Sequence, residues 1–178
     1  MRVREATEAD WLAIFPIFDA VVAAGETYAY PEGLSSAEAR SVWMLPPPSR
    51  VVVAVEDRPD GSEHVLGTAT MGPNRPGRGS HVGTASFMVD AAARGRGVGR
   101  ALGEHVVAWH RDQGFHAIQF NAVVETNAAA VALWHRLGFR TIGTVPEAFR
   151  HRVHGLVGLH VMWLPLRGGD AALGSASG

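Results

Sequence analysis

Three glycines lie at alternate positions directly after a predicted buried strand and directly before a predicted helix. The apolar run TASFMV at residues 84–89 predicts the strand, and a helical spacing of apolar residues begins at Val98. Gly95, Gly97 and Gly99 lie between or at the edge of these elements, although glycine loses more backbone freedom on folding than any other residue. The segment therefore predicts a strand that leads into a helix through a turn that another group approaches closely.

The start of a helix after such glycines is suited to an anion. The first helical turn has amide hydrogens without intrahelical partners, and it carries the positive end of the helix dipole. Glycines without a Cβ let a phosphate reach those amides, and Arg94, Arg96 and Arg100 add positive charge. We predict a phosphate or pyrophosphate site here; the alternative is a glycine-rich connector that only turns the chain.

The residue pattern excludes three other phosphate-binding loops. A Walker A loop requires Gly-Lys-Ser/Thr, and this chain contains no lysine. A dinucleotide-binding fingerprint requires Gly-x-Gly-x-x-Gly, whereas this segment reads Gly-x-Gly-x-Gly. A kinase glycine loop is followed by a strand and a lysine, and neither follows here.

The remaining pattern, Arg-x-x-Gly-x-Gly at residues 94–99, resembles the acyl-CoA pyrophosphate loop of the GNAT N-acetyltransferase superfamily. A second segment, NAAAVALWHRLGF at residues 127–139, is similar to that family's helix after the fifth strand, which begins at an asparagine and ends at a Gly-Phe pair. The two motifs follow each other in the family's order and spacing, and the resemblance spans residues 2–166. It implies acetyl-CoA as the co-substrate.

Length and patterning agree with one domain over residues 1–166, because 178 residues that are 47% hydrophobic can bury one core. The predicted strands are residues 1–6, 51–56, 64–71, 84–89, 116–124, 139–145 and 156–164, and helices begin near Thr7, Ser35, Val98 and Asn127. The resemblance implies an α/β (α+β) GNAT fold: a mixed, mostly antiparallel sheet of about seven strands with flanking helices. Its fourth and fifth strands splay apart around the acyl-pantetheine. We expect residues 167–178, small and polar, to be disordered.

Composition excludes several classes of function. A net charge of −1 argues against nucleic acid as the main partner, and the absence of cysteine excludes a thiol nucleophile or a thiolate metal site. The histidine pairs 105/110 and 151/154 lack the spacing or neighbours of metal ligands, so we predict no metal. No signal peptide or membrane-spanning run is visible, and we expect a cytoplasmic enzyme without a membrane partner. The sequence leaves open whether the protein forms a homodimer.

The resemblance also implies contacts with acetyl-CoA. A backbone amide of the fourth strand, near Phe87 to Val89, meets the thioester carbonyl, and the turn to Arg94 contacts pantetheine and pyrophosphate. The predicted cofactor-binding residues are Phe87, Met88, Val89, Arg94, Gly95, Arg96, Gly97, Val98, Gly99, Arg100, Asn127 and Trp134.

Trp134 departs from the family's pattern, because many members have a tyrosine there that protonates the departing thiolate. An indole does not usefully donate a proton at neutral pH, so that acid is absent. A thiol with a pKa of roughly 8.5 is a tolerable leaving group without help. Asn127, which we predict to be catalytic together with Asn121, could hold the sulfur or the pantetheine. The alternatives are core packing for Trp134 and a helix N-cap for Asn127.

The segment AAGETYAYP at residues 23–31 lies where the family covers its acceptor site. This segment resembles a subgroup that includes the fungal azetidine-2-carboxylate N-acetyltransferases, which acetylate small cyclic imino acids. Three further segments carry the same resemblance: residues 75–89, 119–127 and 143–151. Asn121 and Asn127 match asparagines of that subgroup's active site, whereas Thr84 stands where another asparagine is expected. The predicted substrate-binding residues are Tyr28, Tyr30, Thr84 and Asn121; the alternative is that the tyrosines only pack the connection between two helices.

The sequence thus predicts transfer of an acetyl group from acetyl-CoA to the amino or imino nitrogen of a small molecule, by direct attack in a ternary complex. The general base stays open among Glu26, Glu125, His81, His151 and a water relay. Two other functions also stay open: an acetyltransferase acting on protein N-termini or ribosomal proteins, and an acyl-CoA sensor without catalysis.

Overall fold

The computed structural model describes residues 1–166, and the predicted disorder of residues 167–178 lies outside the described residues. The elements are β1 (Arg2–Glu5), α1 (Trp11–Ala24), α2 (Ser36–Trp43), β2 (Arg50–Asp57), β3 (Glu63–Pro73), β4 (Val82–Val89), α3 (Val98–Asp112), β5 (Ala117–Val124), α4 (Ala128–Arg136), β6 (Arg140–His151) and β7 (Gly155–Pro165). The strands form one sheet in the order β1-β2-β3-β4-β5-β7-β6. Only β4 and β5 pair in parallel among the described strands. The predicted fold class is confirmed.

Local signals end α1 and begin α2 where the sequence predicts, whereas α1 begins at Trp11, after a short 3-10 turn, and not near Thr7. Gly25 ends α1 with a left-handed φ of +65°, which glycine adopts without the steric penalty of a Cβ. Ser35 and Glu38 form a reciprocal capping box at the start of α2, and each side chain accepts a hydrogen bond from the other residue's amide. Residues 25–35, here called the α1–α2 loop, are therefore anchored at both ends.

The helices cover opposite faces of the sheet. One cluster packs α1 and α2 against it, and its members include Trp11, Phe18, Trp43, Val53 and Met88. A second cluster packs α3 against the other face and includes Leu66, Leu102, Phe87 and Val89. Because side chains alternate along a strand, Thr84, Ser86 and Met88 of β4 point to the α1–α2 face, and Phe87 and Val89 point to the α3 face.

The two middle strands pair only where they begin. Val82 pairs with Ala117 and Gly83 with Ile118, and no further rung joins β4 to β5 along the described strands. The predicted splay of the fourth and fifth strands is thus confirmed. β5 also has an irregularity between Phe120 and Val123, which leaves two residues outside its ladder with β7.

The last hairpin is longer than the sequence predicts. The strand expected at residues 139–145 continues to His151, with an irregularity between Val145 and Phe149. Glu147 within it has a φ of +53°, next to Pro146, which cannot donate to a ladder. A proline and a bulge look like a strand end in the sequence, although here the strand resumes beyond them.

None of the helices described within residues 1–166 is long and apolar enough to cross a membrane.

Candidate active site

The glycine loop before α3 has an open backbone. Gly95 and Gly97 have φ values of +77° and +82°, and nothing lies within 4 Å of an ideal Cβ at either position. Gly97 is the N-cap of α3, and no side chain of the described residues caps this helix. The amides of the first turn are therefore free to bind an anion, as the predicted pyrophosphate site requires.

The three arginines of the loop differ in their partners. The Arg96 guanidinium donates to the Glu56 carboxylate over 2.5 Å, and Arg100 donates to Glu104 over 2.7 Å. Arg94 is exposed and makes no ion pair with any residue of the described chain. Arg94 is consequently the loop arginine whose charge is fully available to a phosphate.

The third glycine of the motif faces inward. A Cβ on Gly99 would lie 3.5 Å from Leu133 Cδ2 of α4 and 4.0 Å from Val89 Cγ2 of β4. Its missing side chain thus widens the passage between the end of β4 and α4.

Beyond Gly83, the peptide groups of β4 that face β5 have no strand partner. The Val82 carbonyl and the Asp90 amide bond to the β3 side, so the intervening odd-numbered residues present their N–H and C=O groups to the gap between β4 and β5. The pattern is confirmed at Phe87, because its amide donates to the Tyr28 hydroxyl and its carbonyl accepts from the same hydroxyl, both over 2.8 Å. Burial raises the pKa of Tyr28 above its ordinary value, so this hydroxyl stays protonated.

The α1–α2 loop connects the two halves of the split sheet. Tyr28 holds it to β4, and at its other side the Arg152 amide donates to the Gly25 carbonyl over 2.9 Å. The Arg152 side chain also pairs with Glu32 over 2.6 Å. Tyr30 stacks on Tyr28 with ring centroids 5.7 Å apart and packs against the core. The α1–α2 loop therefore covers the gap on the α1–α2 face, and we call this covering loop the roof.

Amide side chains line β5 on this same face. The Asn121 amide donates to Asn74 Oδ1 over 2.7 Å, and Asn121 Oδ1 accepts from Gln119 over 2.8 Å. Ile118 and Phe120 pack on the opposite face with α4, so Gln119 and Asn121 face the roof. The structure thus places the predicted residues Tyr28, Thr84 and Asn121 on one face of the split sheet. Asn74 also belongs to this cluster, although no local sequence pattern distinguishes it from a turn residue.

Trp134 closes the interior end of the gap. Its ring lies 4.6 Å from Phe87 of β4 and 5.0 Å from Phe120 of β5, measured between centroids, and the side chain is 6% exposed. This packing supports the alternative interpretation, in which Trp134 is a core residue. The Asn127 side chain accepts from the Ala130 amide over 3.2 Å, which makes Asn127 the N-cap of α4.

Two of the candidate bases are held by backbone amides elsewhere. The Glu125 carboxylate accepts from the Gly158 amide of β7 over 2.6 Å, so it turns away from β4. His151 Nδ1 accepts from the amides of Val153 and His154 in the β6–β7 turn. Within residues 1–166, no cluster of potential metal ligands is present.

Comparison with known proteins identifies the relatives of this chain. The family model of the Acetyltransferase (GNAT) family matches residues 13–139. A solved GCN5-related N-acetyltransferase from Kribbella flavida is 62% identical, with 92% of this chain and 96% of that chain covered and a TM-score of 0.87. A solved ribosomal-protein-alanine N-acetyltransferase from Brucella melitensis is 28% identical, with 93% and 99% covered and a TM-score of 0.72.

The chain also resembles enzymes with small acceptors. The L-methionine sulfoximine/L-methionine sulfone acetyltransferase of Pseudomonas aeruginosa is 37% identical over 90 residues, which are 49% of this chain and 51% of that protein. The first three curated relatives are matched over 13%, 46% and 60% of their own length. Structures of this fold have been solved with acetyl-CoA. Because the family model covers more than half of it and the fold agrees, the chain belongs to the Acetyltransferase (GNAT) family.

Proposed function

We propose that this protein transfers an acetyl group from acetyl-CoA to the amino or imino nitrogen of a small molecule. The observation that carries this proposal is the edge of β4 that has no strand partner beyond Gly83 and that runs to the uncapped start of α3 at Gly97. An edge strand of unpaired amides and carbonyls accepts another extended chain, and the two amides of a pantetheine arm supply such a partner. The helix start beyond it suits the pyrophosphate.

Each part of the site has a defined role in this reaction. Gly97 and the first-turn amides of α3 hold phosphate oxygens, and Arg94 adds an uncompensated charge beside them. Gly99 leaves room for the arm, and the Phe87 amide is aimed into the gap where a thioester oxygen gains negative charge during attack. Acetyl-CoA, when bound, supplies the acetyl group as an activated thioester. A direct attack of the amine then requires only that both substrates occupy the gap together.

The acceptor side supports a small polar substrate. The β4 and β5 side chains on this face are neutral: the hydroxyls of Thr84 and Ser86 and the amides of Gln119 and Asn121. Hydroxyls and amides can donate to a carboxylate without a buried cation. The sulfoximine and sulfone acetyltransferase among the relatives acts on amino-acid-like molecules, which favours an amino or imino acid here.

A protein N-terminus is the second candidate acceptor, and one relative named as a ribosomal-protein-alanine N-acetyltransferase favours it. The roof formed by the α1–α2 loop, bonded to both halves of the sheet, favours the small molecule instead, since a peptide needs an open groove. Cytoplasmic location and a homodimer stay predictions.

The experiment that tests this function is a thiol-release assay with acetyl-CoA and a panel of acceptors. The panel contains amino acids, imino acids, polyamines, aminoglycosides and a ribosomal-protein N-terminal peptide. We expect release with an amino or imino acid, and mass spectrometry should find one added acetyl group on its nitrogen. Binding of acetyl-CoA without release by any acceptor would support a sensor, and a clear preference for the peptide would support the second candidate.

Replacing Asn121 with alanine should raise KM for the acceptor at least about tenfold and leave the Kd for acetyl-CoA unchanged, because one hydrogen bond to a charged group contributes roughly 1.5–3 kcal/mol. Asn74→Ala is the matched variant, since it removes the partner of Asn121 and keeps Asn121 itself. We expect a smaller rise in KM for Asn74→Ala. Steady-state kinetics and calorimetry measure the two constants. An equal loss of acetyl-CoA and acceptor binding in Asn121→Ala would remove this residue from the acceptor site.

A further inference from the structure

The Tyr28 hydroxyl occupies the middle of the free edge of β4. It accepts from the Phe87 amide and donates to the Phe87 carbonyl, each over 2.8 Å. Both groups would otherwise face the gap unpaired, because the ladder with β5 ends at Gly83. A side chain from the α1–α2 loop thus replaces the missing strand partner at this one position.

This arrangement brings Tyr28 into competition with the acyl donor. The Phe87 amide has one proton, and in the proposed function the thioester carbonyl needs a donor at this edge. A hydroxyl and a thioester oxygen cannot both receive that proton at full strength. The Tyr28 hydroxyl therefore stabilises the empty site. When acetyl-CoA binds, the same hydroxyl competes with the thioester carbonyl for the Phe87 amide.

The hydroxyl keeps a role after the exchange. Its single proton continues to be donated to the Phe87 carbonyl, while the lone pair that received the Phe87 amide becomes free. Burial raises the pKa of Tyr28 above its ordinary value, so the freed lone pair belongs to a neutral hydroxyl oxygen that can accept a hydrogen bond from an N–H donor. An amine nucleophile is such a donor, and it must approach this part of the edge to reach the acetyl carbon.

We propose that Tyr28 is an acceptor-binding residue whose hydroxyl exchanges the Phe87 amide for the amine of the acceptor when the acetyl thioester binds. The proposal rests on the proposed function. It couples the two substrates: the acyl donor releases the hydroxyl, and the released hydroxyl orients the amine. Tyr30 has no such role, because it stacks on the Tyr28 ring and packs against Phe18.

The test is Tyr28→Phe, which removes the hydroxyl and keeps the ring that packs against Trp43. Calorimetry should show acetyl-CoA binding about five- to tenfold tighter than in the wild type, because a competing hydrogen bond is gone. Coenzyme A has no acetyl carbonyl, so its Kd should not change. Acceptor kcat/KM should fall at least about tenfold. Ser41→Ala, which removes an exposed hydroxyl on α2 that donates to the Glu38 carbonyl, should leave all these constants as they are.

Other outcomes overturn the proposal. Equal weakening of acetyl-CoA and coenzyme A in a variant that still melts cooperatively would make Tyr28 a structural anchor of the loop. Unchanged binding of both, or unchanged acceptor kcat/KM, would show that no exchange takes place. If the wild-type protein binds neither acetyl-CoA nor coenzyme A, the proposed function fails, and this result is distinct from a failure confined to Tyr28→Phe.

Discussion

Placing aspartate at Gly97 should weaken acetyl-CoA binding at least about a hundredfold, equivalent to about 2.8 kcal/mol. Gly97 is the N-cap of α3 at a φ of +82°, and a side chain there would project into open space above the first-turn amides. Aspartate tolerates the left-handed region better than most residues, so the loop should fold. Its carboxylate would then repel a pyrophosphate and occupy the same positive end of the helix dipole.

Gly97→Asn is the matched control, since asparagine has nearly the same size and backbone preferences but no charge. We expect it to weaken binding by about tenfold or less, which is the effect of bulk alone. The difference in Kd for acetyl-CoA between the two variants should decrease as the salt concentration is raised, because exposed charges are screened. Calorimetry at two salt concentrations measures both effects. Equal Kd values for the two variants at low salt would refute an anion site at this helix start.

The second large effect concerns the point where the split sheet begins. A Cβ on Gly83 would lie 2.1 Å from Cδ2 and 2.4 Å from Nε2 of His110, a fully buried side chain of α3. Neither atom is the end of a flexible chain, so the ring or the strand must move. We expect Gly83→Ala to lower the free energy of unfolding by at least about 3 kcal/mol, which corresponds to a fall in Tm of about 6–12 °C.

A double-mutant cycle separates this clash from a general effect of the glycine. In the background of His110→Ala, which removes the ring, Gly83→Ala should cost less than about 1 kcal/mol. Gly143→Ala is a second control, because a Cβ at this strand glycine meets nothing within 4 Å. Denaturant unfolding of the four proteins of the cycle gives the coupling. If the two losses in the free energy of unfolding are additive, the His110 ring is not the reason why position 83 requires glycine.

Most of the secondary structure was predictable because its causes are local. The capping box of Ser35 and Glu38, the left-handed Gly25 and the Asn127 N-cap each act within three or four residues of the chain. The glycine loop is local in the same sense, since the open helix start at Gly97 needs only the strand before it and the helix after it. The strand end expected near Val145 was wrong, because the register of β7 carries β6 past a bulge that looks terminal in the sequence.

The site on the acceptor face depends on contacts between distant parts of the chain. Tyr28 and Phe87 are 59 positions apart, and Asn74 and Asn121 are 47 apart. The family resemblance predicted that Tyr28 and Asn121 lie near the acceptor, but no pattern indicates which backbone or side-chain group each one binds. Such pairings follow from sheet order and register, which decide which polar groups are left without partners.

The sequence by itself determined the elements, their order, the glycine loop and the family, because periodicity, capping and glycine conformations are properties of short segments. Only the tertiary structure decided that β4 leaves β5 after Gly83, that Tyr28 takes the peptide group left open at Phe87, and that Glu125 turns toward β7. The physical reason is that an unpaired backbone group must find a partner in space. That partner is chosen by the packing of the whole sheet and its helices.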